Sequence, residues 1–188
     1  MKRIIVGITG ASGVIYGIRL LQVLKDAQVE THAVISEAAK KNILIETDFA
    51  VEDVEKLAYK VHDEKNMAAS ISSGSFKTDG MVVVPCTIKT LSGIANSFND
   101  NLVIRAADVI LKERRKLILV VRETPLHKGH LELMARVADL GGILLPPVPA
   151  FYHLPKTIDD LINHTLGKIL DILEIDNSLF ARWKGRDE

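Results

Sequence analysis

Two short stretches carry the side chains best suited to chemistry. The first is Gly7-Ile-Thr-Gly10-Ala11-Ser12-Gly13. Its glycines let the backbone approach a ligand, and a helix opening after it would present free N–H groups to an anion. The spacing is not G-x-G-x-x-G, and the next apolar run ends in Ser36 rather than in an acid able to hold an adenosine ribose. NAD binding is therefore disfavoured, and the Walker pattern is absent. The bland reading is a tight strand-to-helix turn with Ser12 as its cap. The second stretch is Pro85-Cys86-Thr87-Ile88-Lys89-Thr90. It sets two hydroxyls and a cation at another helix start, which again suits a phosphate. The bland reading there is an N-cap and a solvated lysine. Two such loops on one sheet edge favour ligand binding over two unrelated caps.

Other residues carry weaker signals. Cys86 has no histidine near it in sequence and reads as a buried filler rather than a nucleophile. Lys112-Glu-Arg-Arg-Lys116 reads as a solvated helix end rather than a nucleic-acid patch, with Lys112 pointing toward the strand-end crevice. His127 and His130 lack a third partner for zinc. Asn163-His-Thr165 matches a glycosylation sequon, which carries no meaning in the cytoplasm. Lys168 sits at the margin of a helical apolar arc built from Ile158, Leu161, Leu166 and Leu170. It is placed either to reach an anion or to snorkel to solvent.

These loops need a frame. Strands are expected at Arg3–Ile8, Glu30–Ile35, Met81–Val84, Leu117–Val121 and Ile143–Leu145, mostly apolar on both faces as buried parallel strands are. Helices are expected near Val14–Lys25, Glu37–Ile45, Leu102–Arg114, Leu131–Leu140 and Ile158–Leu173, the last opening with Thr157 and Asp160. Residues 47–79 read as one short helix, about Val51–Ala58, followed by a long connection. The alternation predicts an α/β fold with an open, doubly wound parallel sheet, whose ligands lie beyond the carboxyl ends of the strands.

The chain has 188 residues, 24 basic and 24 acidic side chains, and 47% hydrophobic content. That predicts one domain with a full core and no broad electrostatic grip on nucleic acid or anionic membrane. A single cysteine excludes an intrachain disulfide. No apolar run is long enough to span a bilayer. The N-terminus is basic and then apolar, but the run is short and enters glycines, so it reads as a strand and the protein is placed in the cytoplasm.

The loops, taken in order, resemble the UbiX/Pad-type flavin prenyltransferases. The matching stretches include residues 7–13, Glu46-Thr-Asp48, Ser72-Ser-Gly-Ser-Phe76, Pro85 to Gly93 and Arg105-Ala-Ala-Asp108. They continue through Leu111 to Arg115, Arg122-Glu123-Thr-Pro125 and Pro146 to His153. The resemblance covers nearly the whole chain and is closest to the bacterial members serving ubiquinone biosynthesis. It implies a single flavodoxin-like, three-layer domain with a C-terminal tail from about residue 174, assembled as a homododecamer. It also implies joining of a dimethylallyl group from dimethylallyl monophosphate to N5 and C6 of reduced FMN. The products are phosphate and prenylated FMN, the cofactor of UbiD-type decarboxylases. The resemblance puts FMN on Gly10, Ala11, Ser12, Ser36, Thr87, Ile88, Lys89, Thr90 and Arg122. It puts the allylic phosphate near Ser12, Arg105, Lys112, Arg122, Glu123, Tyr152 and Lys168, and Glu46 near the reacting flavin edge. Thr87 stands where many relatives have Ser, and Lys168 where many have Arg.

The residue types agree with that chemistry. Lys112, Arg122 and Lys168 supply charge for a leaving phosphate, Glu123 a proton, and Glu46 a base for the ring proton at C6. Asp159-Asp160-Leu-Ile-Asn163 lacks the final acid of a D-D-x-x-D magnesium motif, so a metal-free reaction is expected. Two rivals remain. A phosphopantothenoylcysteine-type decarboxylase would need a catalytic histidine, and the ligand-facing loops after the early strands offer none. A non-catalytic FMN-binding protein would not need Lys112, Glu123, Tyr152 and Lys168 together. The lone Trp183, beside Leu179 and Phe180, predicts either a docked tail or an oligomer with shared sites.

Overall fold

The computed structural model describes residues 1–183 and 185. The strands are β1 (Arg3–Ile8), β2 (Glu30–Ile35), β3 (Lys60–His62), β4 (Gly80–Cys86), β5 (Lys116–Val121) and β6 (Ile143–Leu144). The α-helices are α1 (Val14–Asp26), α2 (Glu37–Glu46), α3 (Val51–Glu55), α4 (Ile88–Ala95), α5 (Leu102–Lys112), α6 (Lys128–Asp139) and α7 (Ile158–Ile172). The sheet has the order β3-β2-β1-β4-β5-β6, and every pairing is parallel. Chain order reverses direction at β1, which pairs with both β2 and β4. That junction is where a doubly wound sheet opens a crevice at its carboxyl edge.

Five strands were expected and six are present among the described residues. The extra one, β3, has three residues and lies on the edge; setting it aside leaves the flavodoxin-like order 2-1-3-4-5. It lies inside the stretch read from sequence as a connection, because Lys-Val-His is too short and polar to register as an apolar run. β4 runs two residues past the expected Val84, through Pro85 to Cys86, with a register shift between Val83 and Cys86 against β5. Pro85 has no N–H to give the ladder, so pairing is interrupted while the chain stays extended. α4 was foreseen only as a helix start, and α6 begins three residues earlier than its apolar pattern indicated.

Residues Met1–Pro146 and Pro147–Glu188 form two compact units. In the first, β4 is buried throughout, and β1, β2 and β5 are buried after their first residue. Ile5, Met81, Val83, Leu117 and Leu119 on one sheet face join Leu91, Val103 and Ile110 of α4 and α5 in a continuous core. In the second unit, Thr157 and Asp160 form the expected capping box of α7. Its tail docks: Arg182 holds Asp171 by two contacts of 2.7 and 3.0 Å, and Phe180 packs on Gly167.

The edge strand β3 is tied to the sheet by a polar chain. Arg3 donates to both carboxylate oxygens of Glu30 at 2.6 and 2.9 Å. Glu30 contacts His32 Nε2 at 3.0 Å, and His32 Nδ1 meets His62 Nε2 at 2.8 Å. The Arg3 fork, then His32, holds the Glu30 carboxyl down at about 2. Burial, then the charges of His32 and Lys60, pushes His62 from 6.5 down to about 4. An unfolded chain therefore binds a proton at residue 62 that the folded chain refuses between those values. Stability from this site is complete above about pH 6.5 and is lost as pH falls toward 4. Thermal melts of the wild type and His62→Gln across pH 7 to 4 check this. The wild-type melting temperature should drop more steeply through that window, and parallel curves would refute it.

Candidate active site

Three loops meet at the carboxyl edge where the chain order reverses. The first leaves β1 at Thr9 and enters α1 at Gly13, which is the N-cap with φ of 94°. That left-handed backbone favours glycine. Ser12, expected as the cap, is exposed and makes no cap bond; its place is taken by Glu46 at the end of α2. Glu46 Oε2 accepts from the Gly13 N–H at 2.8 Å and the Val14 N–H at 3.2 Å. The start of α1, read from sequence as an anion site, thus already carries a carboxylate. One turn earlier on α2, Asn42 donates to the Gly10 carbonyl at 3.0 Å. At Gly10 the same helix comes so close that a Cβ would lie 2.4 Å from that of Ala38.

The second loop is brief. Ser36 follows β2 and caps α2 by accepting from the Ala39 N–H at 3.1 Å. The third follows β4. Thr87 caps α4, its hydroxyl accepting from the Thr90 N–H at 3.1 Å and donating to the Thr90 hydroxyl at 3.0 Å. Thr9 fixes this loop against the first: its hydroxyl donates to the Pro85 carbonyl at 2.7 Å and accepts from the Thr87 N–H at 2.9 Å. A fourth helix start joins them, because Asn101 caps α5 by accepting from the Ile104 N–H at 3.1 Å.

A cavity of about 200 Å³ lies among these ends, and its lining includes Gly10, Ser36, Thr87, Lys89, Thr90 and Asn101. The capped N-termini of α2, α4 and α5 open on it. Each carries a positive partial charge, met at α2 by the Glu64 carboxylate on the Glu37 N–H at 2.7 Å, and Lys89, 3.6 Å from Asp100, adds a full one. Two hydroxyl-rich loops, a cation and three helix starts fit the phosphate end of a flavin mononucleotide.

Of the residues singled out from sequence, Gly10, Ser36, Thr87, Lys89 and Thr90 line this cavity. Ala11 and Ser12 continue its first loop, and Ile88 opens α4. Arg122 follows β5; its N–H donates to the Cys86 carbonyl at 3.1 Å and its Nε to the Ser12 carbonyl at 3.3 Å, which links the ends of β4 and β5 to the first loop. Glu123 is exposed beside it and accepts from the Thr124 N–H at 3.0 Å. Arg105 lies in the first turn of α5, with Nε on the Ser72 carbonyl at 3.1 Å and Nη1 on Asp108 at 3.1 Å.

Lys112 is not at this edge. The sequence reading aimed it at the crevice, but α5 runs antiparallel to the strands, so its last residue lies at their amino ends. There Lys112 pairs with Glu113 beside Gly74, just before β5 starts at Lys116. Tyr152 and Lys168 belong to the second unit. Cys86 is fully buried and burial pushes its thiol up, which removes it as a nucleophile. The rings of His127 and His130 meet at a tilt of 33°, with centroids 3.6 Å apart, at the start of α6.

Asn42 and Glu64 escaped sequence reasoning. Glu64 accepts from the Glu37 N–H at 2.7 Å through its side chain and from the Leu102 N–H at 2.8 Å through its carbonyl, so it joins the starts of α2 and α5. The four-residue spacing of Asn42 and Glu46 on one helix was the signal available for the first. Nothing local marks Glu64.

Residues 1–175 match the model of the family described as Flavoprotein. Flavin prenyltransferase UbiX of Escherichia coli strain K12 is 58% identical over 188 residues, covering 98% of this chain and 100% of the relative. The flavin prenyltransferase UbiX of Thauera aromatica is 58% identical over 186 residues, covering 99% and 96%. Among solved structures, AnUbiX (PadA1) in complex with FMN and dimethylallyl pyrophosphate has a TM-score of 0.96 at 49% identity, covering 98% of both chains. A dodecameric FMN-dependent Ubix-like decarboxylase from Escherichia coli O157:H7 has a TM-score of 0.95 at 48% identity, covering 97% and 100%. With this sheet order, this cavity and relatives matched over their full length, the chain belongs to the flavoprotein family and, within it, to the UbiX-type flavin prenyltransferases.

Proposed function

We propose that this protein transfers a dimethylallyl group from dimethylallyl monophosphate to N5 and C6 of reduced FMN. The products are phosphate and prenylated FMN, the latter for a UbiD-type decarboxylase. The observation that carries the reading is the cavity onto which α2, α4 and α5 open their capped N-termini, in a chain of this family. Gly10, Ala11, Ser12, Ser36, Thr87, Ile88, Lys89, Thr90 and Arg122 hold the FMN, whose reduced ring supplies the nucleophilic atoms. The family match over residues 1–175 supports reading both units as one flavoprotein domain with a tail from about residue 174. Among the described residues no helix is long and apolar enough to cross a membrane, and the cytoplasm is the proposed location. The decarboxylase rival needs a histidine at the ligand loops, and none lines the cavity.

The allylic phosphate is met by Ser12, Arg105, Lys112, Arg122, Tyr152 and Lys168, and Glu123 protonates it as it leaves. Charge from these cations replaces a metal. Asp159 and Asp160, the nearest approach to a magnesium motif, lie in the first turn of α7, where Asp160 is taken up by the capping box. Mixing the protein with reduced FMN and the allylic monophosphate in EDTA should yield a flavin heavier by one dimethylallyl unit. A strict Mg²⁺ requirement would overturn the metal-free reading. Because one relative is described with the pyrophosphate, that compound is the paired substrate, and faster turnover of it would overturn the preference for the monophosphate.

Glu46 is the base for the C6 proton. In Glu46→Gln the amide oxygen still accepts from the Gly13 and Val14 N–H groups, so FMN binding should survive. Formation of the four-ring product should slow by about 10² to 10⁴, the usual cost of a lost general base. Wild-type speed would show that Glu46 only closes the helix start.

Lys112 stands at the far end of the sheet from Ser12 and Arg122, which supports sites shared between subunits of a homododecamer. Lys112→Ala and Glu46→Gln, each nearly inactive alone, should complement when co-assembled. Random mixing of a two-subunit site leaves about a quarter of the sites intact. No recovery would place both groups in one subunit.

A further inference from the structure

α7 carries a side chain to which the reading above gives no task. His164 is 9% exposed. It precedes Lys168 by four residues, so the two share a helix face. Its Nε2 lies 2.6 Å from the Tyr152 hydroxyl. The ring is held on three sides. His153 stacks on it at 4.7 Å with planes 8° apart, Phe180 meets it edge-on at 4.8 Å, and Tyr152 stands at 80° to it. Tyr152 itself is 48% exposed; His153 at 5.6 Å and Trp183 at 6.0 Å are the other rings beside it, and among the described residues His164 is its one short polar contact.

Burial first, then the charges of His153 and Lys168, lowers the pKa of His164 from 6.5. The ring is therefore neutral near pH 7, with one donor and one acceptor nitrogen. A phenol that gives its O–H to a phosphate oxygen has only lone pairs left. The group 2.6 Å from its oxygen must then be a donor. The tautomer with the proton on Nε2 meets that need.

We propose that His164 is a positioning residue: its Nε2–H donates to the Tyr152 oxygen, fixing the phenol and leaving the Tyr152 O–H to be given to the allylic phosphate beside the Lys168 ammonium. This rests on the reading of Tyr152 as a phosphate ligand. Held this way, Tyr152 need not be ordered by the substrate itself, so the contribution appears in substrate binding.

The test uses the full oligomer, reduced FMN and dimethylallyl monophosphate, with kcat and KM measured separately. His164→Leu should raise KM for the allylic phosphate about 5- to 10-fold with FMN affinity unchanged, the size of effect one hydrogen bond supplies. His164→Gln, whose amide can donate to the same oxygen, should restore most of it. Tyr152→Phe should raise KM to a similar degree, and adding His164→Leu to it should cost nothing more, because the two act as one unit. If Tyr152→Phe raises KM and His164→Leu does not, the role of His164 is overturned and the Tyr152 reading stands. Full additivity of the pair overturns it equally. If Tyr152→Phe leaves KM at the wild-type value, the Tyr152 reading fails and takes the inference with it. Should His164→Leu fail to fold, His164→Met, also unable to donate, replaces it in every comparison.

Discussion

The site depends on one buried threonine. Thr9 gives both its N–H, at 3.2 Å, and its hydroxyl, at 2.7 Å, to the Pro85 carbonyl. The same hydroxyl oxygen takes the Thr87 N–H at 2.9 Å. Pro85 cannot donate to the ladder, so at this point the Thr9 hydroxyl reinforces the backbone bond that joins β1 to β4. At 3% exposure Thr9 has no water to replace those partners. Losing such a buried bond would leave polar groups unsatisfied, at a cost of about 1–3 kcal/mol. The clamp sets the distance between the two loops, and Arg122 extends it to the end of β5 by reaching back to Ser12.

Helix α2 provides the second support and decides where negative charge is welcome. Its Asn42 and Glu46 grip the first loop at Gly10 and Gly13. The Glu46 carboxylate neutralises the start of α1, and the Glu64 carboxylate likewise holds the Glu37 N–H at the start of α2, so the positive ends that carry no carboxylate are those of α4 and α5. The cavity is therefore built from three elements distant in sequence, not from a single glycine-rich turn. Each of those helix starts keeps its own cap through Ser36, Thr87 or Asn101, which spares later backbone N–H groups from being left without a partner.

Much of this was legible in the residues. The central strands are buried on both faces and therefore read as continuous apolar runs, and β1 and β2 fall on the expected bounds. Ser36 and Thr87 were visible because capping residues directly follow apolar runs. What was hidden depends on contacts across long sequence separations. Glu46 displaces Ser12 as the closing group of α1 from 33 residues away from Gly13. Strand β3 exists because His62 reaches His32, not because Lys60–His62 has a strand-like pattern. Lys112 was misplaced for a different reason. Its residue type suited the phosphate, but helix direction in a parallel α/β sheet puts the last turn of α5 at the amino edge of the strands.

The approach of α2 to the first loop also limits how this chain can be re-engineered. With a Cβ at position 10 only 2.4 Å from that of Ala38, the two positions share a single methyl's worth of space. Any side chain gained at one must be given up at the other, or α2 must slide and carry Asn42 and Glu46 away from the backbone groups they hold. A library that varies positions 10 and 38 independently would sample mostly collisions. One that varies them together, keeping their summed volume constant, samples the combinations compatible with this packing.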